Sequence, residues 1–190
     1  MEKISFKITG TTPLMLNNPQ VVNPFNEYAK QLKPLTSKRK KTEDDLLEIS
    51  KIKFISSLYW GAKRGYTIPA SHFIQSLKKA AQENKLGKKF ERSMLITSDS
   101  VLDFPDKDKT PQQLFNIDTY VDVRVVGIMK ARITTTRPIF NVWSTTVEVL
   151  YDETQLDEKD IQLAMNIAGQ RYGIGTYRQL YGRFEAEKIK

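Results

Sequence analysis

Between Ala168 and Phe184 the chain reads Ala-Gly-Gln-Arg-Tyr-Gly-Ile-Gly-Thr-Tyr-Arg-Gln-Leu-Tyr-Gly-Arg-Phe. Gly169, Gly173, Gly175 and Gly182 are interleaved here with Arg171, Arg178, Arg183 and with Tyr172, Tyr177, Tyr181. Glycine admits positive φ and lets backbone amides come close to a ligand. Arginine supplies a forked phosphate donor, and tyrosine a face on which a base can stack. The mixture suits a phosphate-bearing strand; it also suits a glycine-rich helix end with surface tyrosines. It is not a dinucleotide fingerprint, because those glycines follow a strand and open a helix, the reverse of the order here. A Walker Gly-Lys-Ser/Thr is absent.

A second group is Arg132, Arg137, Phe140 and Trp143. On a sheet these would form a platform, cations for phosphates and aromatics for bases, each stacked base contributing roughly 1–3 kcal/mol. Phe140 reads more naturally as core. A third is the run Lys38-Arg39-Lys40-Lys41, either a solvated loop or a mobile arm that clamps phosphates. Lys79 adds a cation on the polar face of a helix that also carries His72, the chain's one histidine. A metal-independent ribonuclease could use His72 as general base, with Tyr66 or Lys79 assisting, though a lone histidine at a helix start is more often a surface or capping residue. Cysteine is absent, which excludes disulfides and thiolate chemistry. Nothing separates Asp44/Asp45 or Asp106/Asp108 from ordinary helix-start and loop acids, so no metal or cofactor is expected.

The balance of 30 Lys and Arg against 22 Asp and Glu, +8 over 190 residues, makes a polyanion the first partner to test. The excess is concentrated in residues 1–64, with 12 basic and 6 acidic side chains. No apolar run approaches a membrane span, and the opening MEKISFKITG has no apolar signal core, so a cytoplasmic protein without membrane attachment is expected.

The elements that must position these groups follow from periodicity. Lys3 to Ile8 alternates as a half-buried strand. Asn17 to Leu35, rich in proline, reads as an irregular, mobile excursion. Thr42 caps a helix that Gly61 closes, with Leu46, Leu47, Ile49, Phe54 and Leu58 on its apolar face. Ser71 caps a second helix running to about Leu86, with Gly87 just past its end. Met94 to Phe104 holds strand fragments. Val121 to Val126 and Lys130 to Arg137 read as paired strands, and Val142 to Leu150 as another. Leu156 to Gly169 is a third helix, and Tyr181 to Ile189 a last strand. The order is α+β, and a ferredoxin-like βαββαβ plan with a helical, basic insertion at about 17–64 fits it.

Ile68-Pro69-Ala70-Ser71-His72-Phe73-Ile74, leading into a helix, resembles the corresponding segment of the RAMP superfamily, the RNA-binding backbone subunits and guide-processing endonucleases of CRISPR systems. Gly169 to Phe184 resembles that superfamily's glycine-rich loop before the last strand. Ala70 and Gln75 stand where the backbone subunits usually carry glycines. Taken with Pro13-Leu14, Lys38 to Thr42 and Arg137-Pro138-Ile139-Phe140, the whole chain is most similar to small bacteriophage proteins of this fold. The resemblance implies one modified ferredoxin-like (RRM-type) domain over 1–190. It further implies a non-enzymatic protein that binds single-stranded DNA or RNA in phage replication or recombination within the bacterial host. Copies assembling side by side along the strand would be expected. The binding residues would be Lys38, Arg39, Lys40, Lys41, Lys79, Arg132, Arg137, Trp143, Arg171, Tyr177, Arg178 and Arg183, with the four loop glycines shaping the site. A ribonuclease using His72, or an inhibitor of a host defence complex, are the alternatives.

Overall fold

The computed structural model describes residues 1–128 and 131–189, and the side chains of these except 126–128 and 131–132. In chain order the elements are β1 (Glu2–Gly10), β2 (Leu14–Met15), α1 (Glu27–Thr36), α2 (Glu43–Ser56), β3 (Trp60–Gly61), β4 (Gly65–Ile68), α3 (Ala70–Glu83) and α4 (Gly87–Ser93). There follow β5 (Met94–Leu95), β6 (Ser100–Val101), α5 (Pro111–Phe115), β7 (Val121–Ile128), β8 (Ala131–Phe140), β9 (Ser144–Tyr151), α6 (Glu158–Ile167) and β10 (Phe184–Lys188). The fold is α+β with antiparallel sheets.

The alternation of β1 sets the core. Ile4, Phe6 and Ile8 point inward, beside Val147 and Val149 of β9 and Phe184 of β10. β1 lies in a four-stranded sheet of order β10-β1-β9-β5. α3 and α6 cover its apolar face through Phe73, Leu77, Ala80 and Ala81 and through Ile161, Ala164 and Met165. Phe73 meets Phe184 edge to face, with centroids 6.1 Å apart. The opposite face carries Lys3, Ser5, Lys7, Thr146, Glu148, Glu185 and Glu187. Lys3 and Glu148 pair there at 2.5 Å, and no aromatic ring lies on those positions. The main sheet is therefore not a stacking platform.

A second sheet, β2-β8-β7, is built on the long β7–β8 ribbon, in register from Val121↔Pro138 to Ile128↔Ala131. α2 packs on one face of it. Ser50 and Thr136 hydroxyls bond at 2.6 Å, and Lys53 Nζ donates to the Thr134 carbonyl. A short β3-β4-β6 sheet completes the molecule.

Several ends differ from the sequence reading, each for a local reason. α2 starts at Thr42 through a full capping box with Asp45, as expected. It stops at Ser56, and Trp60-Gly61 pairs as β3. Leu46 and Leu47 are exposed. The proline-rich excursion is largely helical: Asn26 caps α1 by accepting from the Tyr28 amide, and Pro34 sits in the last turn. α3 begins without Ser71 as cap; Asp99 Oδ1 accepts from the Ala70 amide instead. Its end is a Schellman motif, with Leu86 N donating to Ala81 O and Lys85 N to Gln82 O. Lys85, at φ 61°, takes the left-handed position, and Gly87 opens α4.

Candidate nucleic-acid interface

After α6 the chain widens into a turn over Ala168–Tyr172, closed by the Gly173 amide donating to Ala168 O. It then folds back on the segment joining β1 to β2. Thr176 N donates to Met15 O, Gly182 N to Pro13 O, and Arg183 N to Thr12 Oγ1. Ile174 N donates to Gly182 O across the loop. The amides of Gly173, Ile174, Thr176 and Gly182 thus go to the protein's own carbonyls, and that of Arg183 to a hydroxyl. The expectation that the glycines open backbone amides to a ligand is corrected: they allow close packing. A Cβ on Gly169 would lie 2.1 Å from Phe184 O, and one on Gly175 2.4 Å from Met15 O.

The packed loop delivers side chains to two sides. On one side Tyr177, at φ 51°, and Tyr181 meet the β7–β8 ribbon. The Arg124 guanidinium lies 5.2 Å from the Tyr177 ring centroid and 5.3 Å from that of Tyr181. Arg137 lies 4.8 Å from the Tyr177 centroid. Asp122 holds Arg124 through two hydrogen bonds, and Tyr181 Oη accepts a third at 3.0 Å. Arg124 and Arg137 share a face because Asp122 pairs with Arg137 and residues two apart project together. The buried Nε of Arg137 has no partner. A non-glycine residue at positive φ costs of order 1 kcal/mol and marks a place where packing overrides backbone preference.

On the other side Lys79, Arg171, Arg178 and Arg183 line a cavity of about 200 Å³ with Tyr172 and Gln179. Glu83 accepts from Arg171 and from the Tyr172 hydroxyl.

The remaining residues fall elsewhere. Trp143 is withdrawn from the platform: it is 2% exposed, its indole N–H donates to Thr12 O, and Gly10 leaves room for its ring. Phe140 is core, 4.8 Å from Phe104. The side chain of Arg132 lies outside the described residues. Lys38 is taken by Asp45 at 2.6 Å, and its ammonium holds that carboxyl below its ordinary value. Lys41 Nζ donates to Lys38 O. The run therefore supports the start of α2. α2 covers the ribbon face of Thr136, opposite to the face of Arg137. Replacing Arg39 and Lys40 together with serine is expected to flatten log K against log salt by less than one single-strand phosphate contact, about 0.7. Salt titration checks this; a drop of two contacts would show the strand wrapping onto the arm.

His72 Nδ1 is buried without a partner, and the ring meets Tyr59 edge to face at 5.6 Å. Burial, then the charge of Arg178, pushes its pKa below 6.5, against a smaller opposing effect of Asp99. Below pH 6.5 the unfolded chain takes up a proton that the folded chain refuses. Stability therefore falls as pH drops from 6.5 through the folded-state value and levels off beneath it. Urea midpoints across this window should show the fall in the wild type and a smaller one in His72→Gln; equal slopes would contradict it.

Arg124 and Tyr181 complete the layer that sequence reasoning found only in part. The available signal was Asp-x-Arg on a strand, which puts an acid and an arginine on one face.

No family model matches the chain, and no curated protein matches it. Among solved structures, a chain in a cryo-EM structure of the Type III-B Cmr-beta bound to cognate target RNA is similar, with TM-score 0.51 and 15% identity. The match covers 100% of this chain and 61% of that one, so this chain spans about three fifths of its neighbour's length. That likeness is one of fold. No helix among the described residues is long and apolar enough to cross a membrane.

Proposed function

We propose that the protein binds single-stranded nucleic acid without cleaving it, across the layer formed by Arg124, Arg137, Tyr177 and Tyr181. The observation that carries this is the guanidinium–phenol stacking of two arginines on one loop tyrosine held at positive φ. Guanidinium planes and aromatic rings both take unpaired bases, and the same arginines take phosphates. The +8 charge supplies attraction to a polyanion, and the structural neighbour is a chain of an assembly bound to target RNA. The sheet order β10-β1-β9-β5, with α3 and α6 on one face, fits the ferredoxin-like plan and so one RAMP-like domain over 1–190. On the sequence resemblance, the wider setting is a phage protein acting on single strands in replication or recombination, with copies side by side along the strand. Fluorescence anisotropy with a single strand and its duplex tests the reading: the single strand binds more tightly, and equal affinities would overturn it.

A further inference from the structure

The loop's second side carries a charge distribution that the stacking layer does not need. In the layer, two arginines face one carboxylate, Asp122. The cavity between α3 and the loop is lined by four cations, Lys79, Arg171, Arg178 and Arg183, and the carboxylate paired with one of them is Glu83. That carboxylate is already occupied by Arg171 and by the Tyr172 hydroxyl. Among the described residues Lys79, Arg178 and Arg183 have no ion-pair partner, and the buried Nη1 of Arg183 has no hydrogen-bond partner at all. A buried guanidinium nitrogen left unpaired is costly unless something arrives to accept from it. The four cations come from three separate elements: α3, the turn after α6, and the loop with the residue before β10. The hydrogen bonds of Thr176, Gly182 and Arg183 to residues 12–15 fix the loop before any ligand binds.

The size of the excess distinguishes the ligand. A phosphodiester inside a strand carries one negative charge, which the layer's single net positive charge already matches. A phosphomonoester carries about −1.5 to −2 at neutral pH and three acceptor oxygens, more than an internal phosphate offers. Several arginines converging on a small cavity are suited to that group, because each forked donor can reach two of its oxygens. Arg178 directly follows Tyr177 in the chain, so a strand end seated in the cavity lies next to the stacking layer.

We infer that the cavity lined by Lys79, Arg171, Arg178 and Arg183 is a seat for a terminal phosphomonoester, so that the protein engages strands by a phosphorylated end. This rests on the single-strand reading above and specifies which part of the strand is held. The chemistry is that of a phosphomonoester; a 5′ end, a 3′ end and free phosphate all offer it, and the test separates them.

The experiment uses the full chain and one labelled single-strand sequence in three forms: 5′-phosphate, 3′-phosphate, and hydroxyl at both ends. Inorganic phosphate serves as competitor. One phosphorylated form is expected to bind about tenfold more tightly than the hydroxyl form, as for a small set of charge-assisted hydrogen bonds. Which form is preferred sets the polarity of the bound strand. Lys79→Gln combined with Arg178→Gln should abolish that preference. The loss for the phosphorylated form should exceed the loss for the hydroxyl form by about tenfold, because the stacking layer remains in place for both. Lys79→Gln alone, an exposed change on α3, should reduce the preference without altering the melting temperature, which guards against a misfolded double variant. Equal binding of all three forms by the wild type would overturn the terminal-phosphate seat while leaving the single-strand reading intact. Displacement of the hydroxyl form by inorganic phosphate as readily as of the phosphorylated forms would also overturn it, showing a site for free anions. Failure of every form to bind would overturn the single-strand reading, and this inference with it.

Discussion

Tyr177→Ala should weaken single-strand binding by about 1–3 kcal/mol, the contribution of one stacked base, while Tyr177→Phe binds like wild type. The phenol of Tyr177 contributes its ring: Arg124 and Arg137 lie 5.2 and 4.8 Å from its centroid. Removing the ring takes away a stacking face and also the surface that aligns both guanidiniums, so the loss should stand at the upper end of the range. The backbone complicates an alanine result, since φ is 51° and strains any side chain there. Tyr177→Gly separates the two effects. Glycine adopts that φ without strain, so the glycine variant should melt no lower than the alanine variant yet bind as weakly. For duplex, whose bases are already paired and stacked, all three variants should bind nearly alike. Equal losses for duplex and single strand, or a phenylalanine variant as weak as alanine, would leave a plain basic surface in place of a stacking layer.

Gly182→Ala should destabilise the fold by roughly 2–5 kcal/mol, combining the left-handed penalty with overpacking. Gly182 sits at φ 74°, and a Cβ there would lie 1.9 Å from Ile174 O, which is itself backbone and has no side chain to swing away. Its amide donates to Pro13 O, so any relief by backbone movement breaks the tie between the loop and the β1–β2 segment. Tyr181 and Arg183 flank it, so single-strand affinity should fall together with stability. Gly61→Ala is the matched control. Nothing lies within 4 Å of its added Cβ, and it should shift stability by no more than about 0.5 kcal/mol. Urea midpoints with unchanged m-values are the readout. A Gly182→Ala midpoint at wild type would mean that the loop is not packed as described.

Much of the secondary structure could be read from residue patterns. β1 alternates over enough residues to declare its inner face, Thr42 and Asp45 announce α2, and the Asp157–Asp160 pair announces α6. The misreadings share a cause: tertiary contacts decided them. Proline suggested irregular chain before Leu35, yet α1 carries Pro34 despite the hydrogen bond that proline removes, held by the Asn26 cap and by packing against α2. Gly87 had the right residue type for a helix end, but Lys85 accepted the left-handed position two residues earlier.

The candidate site divides in the same way. The glycine-rich stretch drew attention to Tyr177, Arg178 and Arg183, but residue types do not say which groups face which. Arg124, on a strand of ordinary appearance, sits against two loop tyrosines, and that pairing spans more than fifty residues of chain. Trp143 could not be told from a stacking residue by sequence, because its packing on Gly10 and its hydrogen bond to Thr12 O are tertiary contacts. The lysine run drew the eye through charge density, yet Lys38 is paired with Asp45 and the run lies beside the helix on the other ribbon face.

The central claim is preference for unpaired bases. Anisotropy of the 190-residue chain with a labelled single-stranded DNA, a single-stranded RNA of the same sequence and the DNA duplex, each at low and at physiological salt, tests it most directly. Raising salt weakens the electrostatic share for every ligand, while base stacking remains for single strands alone. The account predicts that at least one single strand binds more tightly than duplex at both salts, with the gap widening as salt rises. Equal affinity for single strand and duplex at both salts would contradict it.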